Sequence, residues 1–101
     1  MITLRKDKKD FWHIYDGKTR VGKIYIKTID GTPHINMFIN KGQQGKGIGR
    51  IALKKACKQS RYKRIYATTR KGNVASTKAA KAAGFKEVPS ARQRQLVWVR
   101  R

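Results

Sequence analysis

A glycine-rich segment at residues 44–50 carries the residue types best suited to chemistry. It joins an apolar run at residues 35–39 to an amphipathic run that starts at Ile48. The segment combines glycines with cations, in the order Gln44, Gly45, Lys46, Gly47, Ile48, Gly49 and Arg50. Glycines let a backbone approach a ligand closely, and the N–H groups of a first helical turn point at an anion with the positive end of the helix dipole. The segment is therefore predicted to bind a phosphate-containing ligand.

Two common glycine motifs do not fit this segment. A dinucleotide fingerprint needs glycine at the position of Arg50. A P-loop that starts at Gly42 needs lysine at the position of Ile48. The phosphate-binding prediction therefore needs a different motif.

Two segments together resemble the GNAT superfamily of N-acetyltransferases. Gln44, Gly47 and Gly49 stand in the signature places of the family's Gln/Arg-x-x-Gly-x-Gly/Ala motif. Asn-Val-Ala-Ser at residues 73–76, followed by an alanine-rich run and Gly-Phe at residues 84–85, is similar to the family's Asn-x-x-Ala/Ser and Gly-Phe segment. The alternative is a glycine-rich turn and an alanine-rich helix in an unrelated α/β protein.

The charge of the chain indicates a polyanionic partner. Lys and Arg number 26 against 5 Asp and Glu, which gives a net charge of +21 spread along the whole sequence. This charge exceeds what solubility needs and costs stability through self-repulsion. Nucleic acid or a ribonucleoprotein is the first partner class, an anionic membrane surface the second, and a plain solvated surface the third. A polyamine acceptor is disfavoured, because the protein would repel it.

Length and cysteine content limit the number of domains and disulfides that the chain can form. The 101 residues predict one domain at residues 1–101. The single cysteine excludes an intramolecular disulfide and favours a reducing compartment. No apolar run approaches membrane-spanning length, and charge interrupts the N-terminus too early for a signal peptide. A cytoplasmic location without a membrane span is predicted, and no metal is expected.

The hydrophobic patterns predict an α/β (α+β) fold. Alternating apolar residues predict an antiparallel meander of short strands that ends at residues 34–39, with Asp-Gly hairpin turns at residues 16–17 and 30–31. The buried side of a helix from Ile48 to about Ser60 is predicted to consist of Ile48, Ala52, Leu53, Ala56 and Cys57. A buried strand at residues 64–69, a helix capped by Asn73 and a closing strand at residues 95–100 follow.

The resemblance implies a GNAT-like fold: a strongly twisted, mixed, mainly antiparallel sheet with helices packed on it and two splayed parallel strands. These two strands map to residues 34–39 and 64–69. A right-handed crossover must join them. The helical pair that the family places after its first strand is missing or very reduced in this sequence. A partner chain or a second copy is therefore a candidate to complete the substrate groove.

The resemblance also implies an acetyl-CoA site between the splayed strands. The main chains of Met37 and Ile39 are expected to bond the pantetheine arm and the acetyl carbonyl. The pyrophosphate is expected on the N–H groups of residues 44–50, with charge added by Lys46 and Arg50. Two roles remain for Asn73, which either holds the pantetheine or caps its own helix.

The catalytic groups are less well specified than the donor site. Acetyl transfer needs a neutral amine, a polarised carbonyl and a proton for the thiolate. Many family members carry a Glu on the strand before the glycine turn and a Tyr seven residues after the helix Asn, but residues 34–39 contain no carboxylate and the second place is Ala80. The remaining candidates are His34, Tyr66 and Tyr15, of which His34 is the best base.

Two further side chains are interpreted as structural rather than catalytic. Cys57 falls on the apolar side of its helix and is interpreted as a small core residue rather than a nucleophile. Ser76 is interpreted as a site of close helix packing. Chemistry by proximity, with solvent carrying protons, is an alternative to catalytic side chains.

The sequence therefore predicts an acetyl-CoA-dependent N-acetyltransferase whose acceptor amine belongs to a nucleic acid or to a nucleic-acid-associated protein. The alternative is a catalytically inactive GNAT-like module that binds nucleic acid.

Overall fold

Strands come first in the chain and helices enter only after the fourth strand. The computed structural model describes residues 1–90 and 93–100. Its elements, in chain order, are β1 (Ile2–Lys8), β2 (Phe11–Asp16), β3 (Thr19–Ile29), β4 (Thr32–Ile39), α1 (Ile48–Gln59), β5 (Arg64–Thr69), α2 (Val74–Ala82), β6 (Lys86–Val88) and β7 (Arg94–Val99). The predicted meander, both helices and the closing strand are confirmed. The short strand β6 was not predicted.

Tight hairpins build the meander. Ile29 pairs with Thr32, so Asp30 and Gly31 form the turn, and both have a positive φ, at 50° and 77°. This combination is typical of the two-residue turn whose twist matches that of the strands it joins. β1 and β2 are joined by Lys9 and Asp10, and no helix lies between them within residues 1–90.

The sheet has one parallel neighbour pair. The strand order is β1-β2-β3-β4-β5-β7-β6, and the β4–β5 pair is parallel while the other pairs are antiparallel. β3 and β4 are paired from Gly22 with Ile39 to Ile29 with Thr32. β4 and β5, in contrast, are paired only at His34 and Tyr66. The two parallel strands therefore separate beyond this point, as the predicted splay requires.

Both helices pack on the same side of the sheet. α1 contacts α2 and the strands β1, β3 and β4, while α2 contacts β5 and β6. The predicted side of α1 is buried, with Ile48, Ala52, Leu53, Ala56 and Cys57 inside. These residues join one hydrophobic core with apolar residues of the strands. Neither helix in residues 1–90 and 93–100 is long and apolar enough to cross a membrane.

The other side of the sheet, called the helix-free face below, carries no helix among the described residues. Strand alternation separates the two sides. In β4, Ile35 is buried and Met37 and Ile39 pack against the core, so the side chains of His34 and Phe38 point to the helix-free face.

Candidate active site

The gap between β4 and β5 leaves backbone hydrogen-bonding groups without a strand partner. The N–H of Asn40 donates to the carbonyl oxygen of Val21 in the β3 region at 2.8 Å. Because successive residues of a strand direct their N–H and C=O groups to opposite edges, the backbone groups of Met37 and Ile39 point away from β3. They face β5, whose pairing with β4 is limited to His34 and Tyr66. An extended ligand can bind such groups as an added strand does.

The turn from β4 into α1 lies at the wide end of this gap. Gly47 is the N-cap of α1, with a left-handed φ of 76° and no side-chain capping bond. In the part of the chain that the structure describes, the backbone N–H groups of residues 44–50 donate no hydrogen bond. The first turn of α1 contains no acidic residue. The N–H groups and the positive end of the helix dipole thus form a site suited to an anion.

Gly49 fixes the position of this helix start by packing. A Cβ at Gly49 would lie 2.9 Å from Cε of Met37 and 3.6 Å from Cβ of Ala79. Met37 belongs to β4 and Ala79 to α2, so three elements converge on this glycine. The absence of a side chain lets the first turn of α1 approach β4 closely.

The side chains of the turn have different surroundings. The Gln44 amide Nε2 donates to the Ile39 carbonyl at 3.3 Å, which ties the turn back to β4. The Lys46 ammonium donates to Oε1 of Gln43 at 3.2 Å. Lys46 and Arg50 are exposed, while the Ile48 side chain is buried in the core and leaves only its backbone N–H on the turn. Two exposed cations therefore flank the free N–H groups.

Asn73 occupies the matching position at the start of α2. Its side-chain Oδ1 accepts a hydrogen bond from the backbone N–H of Ser76 at 3.2 Å, which confirms the predicted cap. Asn73 is exposed, and its amide Nδ2 keeps its hydrogens for another acceptor. Ser76 is half-buried.

His34 and Tyr66 meet at the narrow end of the gap. They form the single β4–β5 residue pair, and their ring centroids lie 5.8 Å apart at an interplanar angle of 37°. Both side chains are half-buried and lie on the helix-free face. The structure thus brings together two of the three candidate proton-transfer residues, at the point where the parallel strands begin to separate.

Tyr15 and Cys57 lie away from the gap. Tyr15 is on β2, two strands from β4, with the Arg5 guanidinium 4.2 Å from its ring centroid. Cys57 is fully buried in the core. Burial raises the pKa of its thiol from 9.0 to about 12, and the nearby Arg100 guanidinium offsets this only in part. A neutral buried thiol is a poor nucleophile, which supports its interpretation as a core residue.

Arg100 has a structural role that the sequence did not suggest. Its Nη2 donates to the carbonyl oxygens of Cys57 at 3.0 Å and Lys58 at 3.3 Å, and to that of Ser60. The guanidinium therefore closes the C-terminal end of α1. Arg100 and the end of α1 are separated by about forty residues in the chain. No local sequence signal could therefore have identified this contact.

Comparisons with known proteins identify the family and the fold of the chain. The family model described as the acetyltransferase (GNAT) family matches residues 2–85. No curated protein matches the chain significantly in sequence.

Three solved structures illustrate the similarity in fold. RimJ of Mycobacterium smegmatis, in complex with CoA-disulfide, has a TM-score of 0.75 and 20% identity over 88% of this chain and 52% of that chain. An acetyltransferase of Agrobacterium tumefaciens has a TM-score of 0.78 and 16% identity over 89% of this chain and 60% of that chain. The ribosomal-protein-S5-alanine acetyltransferase of Vibrio fischeri has a TM-score of 0.76 and 20% identity over 88% of this chain and 60% of that chain. The chain thus spans between about half and two thirds of the length of these structures.

Proposed function

We propose that this chain, which belongs to the acetyltransferase (GNAT) family, transfers the acetyl group of acetyl-CoA to an amine carried by a nucleic acid or by a nucleic-acid-associated protein. The observation that carries the reaction is the row of free N–H groups at residues 44–50, beside the gap between β4 and β5. The net charge of +21 supports the acceptor class.

The residues of the gap fit acetyl-CoA as the donor. Its pyrophosphate matches the free N–H groups and the exposed Lys46 and Arg50, because charge-assisted hydrogen bonds to phosphate are strong. Its extended arm matches the backbone groups of Met37 and Ile39. Asn73 caps α2 with Oδ1, and its Nδ2 is left to donate to the ligand. The donor supplies the reactive thioester, and the chain supplies binding and orientation.

His34 and Tyr66 are assigned to the proton transfers. The acceptor nitrogen attacks the thioester carbonyl carbon, the carbon–sulfur bond breaks, and the amine loses one proton. Neutral His34 can accept that proton, and the Tyr66 phenol can give its own proton to the departing thiolate. Their neighbouring rings allow the proton to return from His34 to Tyr66 through solvent, so the two residues are restored after each turnover.

An inactive nucleic-acid-binding module is the second candidate function. It is favoured by the alanine at position 80, where the family often has Tyr, and by the lack of a carboxylate in β4.

The proposal also covers the partners and organisation of the chain. The direct connection between β1 and β2 leaves one wall of the groove to a second copy or a partner chain. The chain is proposed to form a single domain at residues 1–101 and, from its lone cysteine, to be located in the cytoplasm.

The test compares the same substitution in two glycine positions. Gly49→Glu inserts a charged side chain where the first turn of α1 packs on Met37 and Ala79, and so displaces the N–H groups of the turn, whereas Gly72→Glu adds the same side chain before α2, where a Cβ meets no atom within 4 Å. Each protein is incubated with acetyl-labelled acetyl-CoA and cell lysate, and the label is separated into RNA, DNA, protein and small amines. We expect the native chain and Gly72→Glu to label one macromolecular fraction, and Gly49→Glu to lose about a hundredfold or more, a change of about 2.7 kcal/mol.

The outcomes separate the two functions. Labelling that survives Gly49→Glu would exclude the turn as the donor site. No label in any fraction, from a native chain whose fold is verified by circular dichroism, would favour the inactive module.

A further inference from the structure

Three aromatic rings form a row across the helix-free face. Phe11 in β2 pairs directly with Tyr25 in β3, and their rings are stacked with centroids 5.6 Å apart at 7°. The ring of Phe38 in β4 continues the row, 6.5 Å from Tyr25 at 18°. Phe38 is 55% exposed. Phe11, Tyr25 and Phe38 are called the aromatic row below.

Cations are interleaved with this row. The Lys8 ammonium lies 5.4 Å from the centroid of Phe11, and that of Lys23 lies 5.3 Å from the centroid of Phe38. Lys27 stands next to the row, paired with His34. One acidic side chain contacts this face: the carboxylate of Asp7 lies 3.3 Å from Nε2 of His13. Apolar rings and excess positive charge therefore share one exposed surface.

We propose that the helix-free face binds single-stranded RNA, with bases stacking against the aromatic row and phosphates contacting Lys8, Lys23 and Lys27. Aromatic side chains bind unpaired bases of any sequence, and positive charge follows the backbone. A duplex already stacks its own bases, so it would contact the lysines but gain nothing from the rings.

Two features of this face favour RNA as its ligand. Asn36 is exposed between His34 and Phe38 on the same side of β4, and its amide can both donate to and accept from a 2′-hydroxyl, the group that distinguishes RNA from DNA. The aromatic row also ends at β4, beside His34 and the gap. RNA lying across the face would reach the site where an acceptor amine must stand. This last step rests on the proposed function, whereas RNA binding itself does not.

The binding test uses a fluorescein-labelled, fifteen-nucleotide uridine RNA, measured by anisotropy at about 0.2 M salt without acetyl-CoA. Phe38→Ala should weaken binding about tenfold or more, because base stacking on a ring is lost. Phe38→Trp should retain it. Val74→Ala is the matched control, since Val74 is 56% exposed but lies on α2. Thermal unfolding of each variant verifies that the fold is kept.

A charge pair tests the lysines in the same assay. Lys23→Gln should lower the affinity and reduce the salt dependence by about one phosphate contact. Lys54→Gln, on an exposed position of α1, should change both less. Equal losses from Lys54→Gln and Lys23→Gln would overturn the proposal in favour of unspecific charge. Equal losses from Val74→Ala and Phe38→Ala would overturn the stacking of bases on the aromatic row.

The nature of the probe provides the remaining outcomes. RNA duplex of the same length that binds as tightly as the single strand would overturn the stacking argument, and tighter binding of the matching DNA would overturn the assignment to RNA. If the native chain binds the single-stranded RNA as described but transfers acetyl to no fraction, the proposed function is wrong and the RNA surface stands.

Discussion

The two turns that lead from the parallel strands into the helices differ in how they treat their backbone N–H groups. The turn from β5 into α2 is closed: Oδ1 of Asn73 accepts from the N–H of Ser76, and the carbonyl of Asn73 accepts from the N–H of Thr77 at 3.2 Å. The hydroxyl of Thr77 contacts that of Thr69 at 3.1 Å, which ties the helix back to its strand. The turn from β4 into α1 is open, because Gly47 has no side chain to cap the helix.

This difference separates a structural turn from a binding turn. A capping side chain stabilises a helix by about 1 kcal/mol, and α1 lacks this stabilisation. What the open turn offers instead is a set of donors aimed at solvent, flanked by Lys46 and Arg50. An anionic ligand would satisfy these donors and so take the place of the cap. The same fold thus contains a turn complete in itself and a turn that a ligand completes.

The largest expected effect comes from closing the open turn with a carboxylate. Gly47→Asp places the acid near the Arg50 guanidinium, since a Cβ at Gly47 would lie 3.3 Å from its Nε. Asp tolerates the left-handed backbone of this position better than most residues. The carboxylate would occupy the N–H groups and repel phosphate, so we expect the affinity for acetyl-CoA to fall by about thirtyfold to a hundredfold, or about 2–3 kcal/mol. Calorimetric titration at about 0.2 M salt measures this loss.

Gly72→Asp is the control for this experiment, because it adds the same charge beside the closed turn. It should leave the affinity within about twofold of the native value, since screening weakens charges that do not touch the ligand. Equal losses in the two variants would show that net charge alone governs acetyl-CoA binding, and the distinction between the turns would fail.

An intermediate effect is expected from the closed turn. Asn73→Ala removes the cap of α2 and should cost about 1 kcal/mol, which lowers the melting temperature by roughly 4–8 °C in a domain of this size. Asn73→Asp keeps a capping oxygen but lacks the amide hydrogens of Nδ2. It should therefore keep the melting temperature while weakening acetyl-CoA binding severalfold. Thermal unfolding and acetyl-CoA titration of both variants separate the two roles of Asn73. An unchanged acetyl-CoA affinity of Asn73→Asp would show that Asn73 acts only as the cap of α2.

Local features of the fold could be predicted from the sequence because short-range rules govern them. The turn between β3 and β4 follows from the Asp30-Gly31 pair, and the buried side of α1 follows from the helical period. The turn between β2 and β3 lies one residue later than predicted, at Gly17 and Lys18, because Asp16 still pairs with Thr19. The capping role, one of the two predicted for Asn73, follows from its position before an alanine-rich run. Strand β6 was missed because Lys86–Val88 is too short to display an alternation.

Features that depend on register and on distant contacts could not be predicted. The neighbourhood of His34 and Tyr66 is set by the pairing of β4 with β5, which no sequence period specifies. The convergence of Met37 and Ala79 on Gly49 joins three elements. The aromatic row likewise arises only when three strands lie side by side in a fixed register, although each of its residues was visible in the sequence.

The smallest expected effect on acetyl transfer lies at the opposite, closed end of α1. Because burial holds the Cys57 pKa at about 12 against 9.0, its thiolate fraction at pH 8 is about a thousandfold lower in the folded chain than in the unfolded chain. Iodoacetamide, a neutral reagent that the charge does not attract, should label the native protein at least that much more slowly than the protein in urea. The raised pKa favours the protonated thiol in the fold, so the stability from this group is complete below about pH 9 and is lost as the pH rises toward 12. Cys57→Ala should leave acetyl transfer at neutral pH unchanged. Rapid native labelling, or loss of transfer in a Cys57→Ala variant that melts like the native chain, would instead give this end of the helix a chemical role.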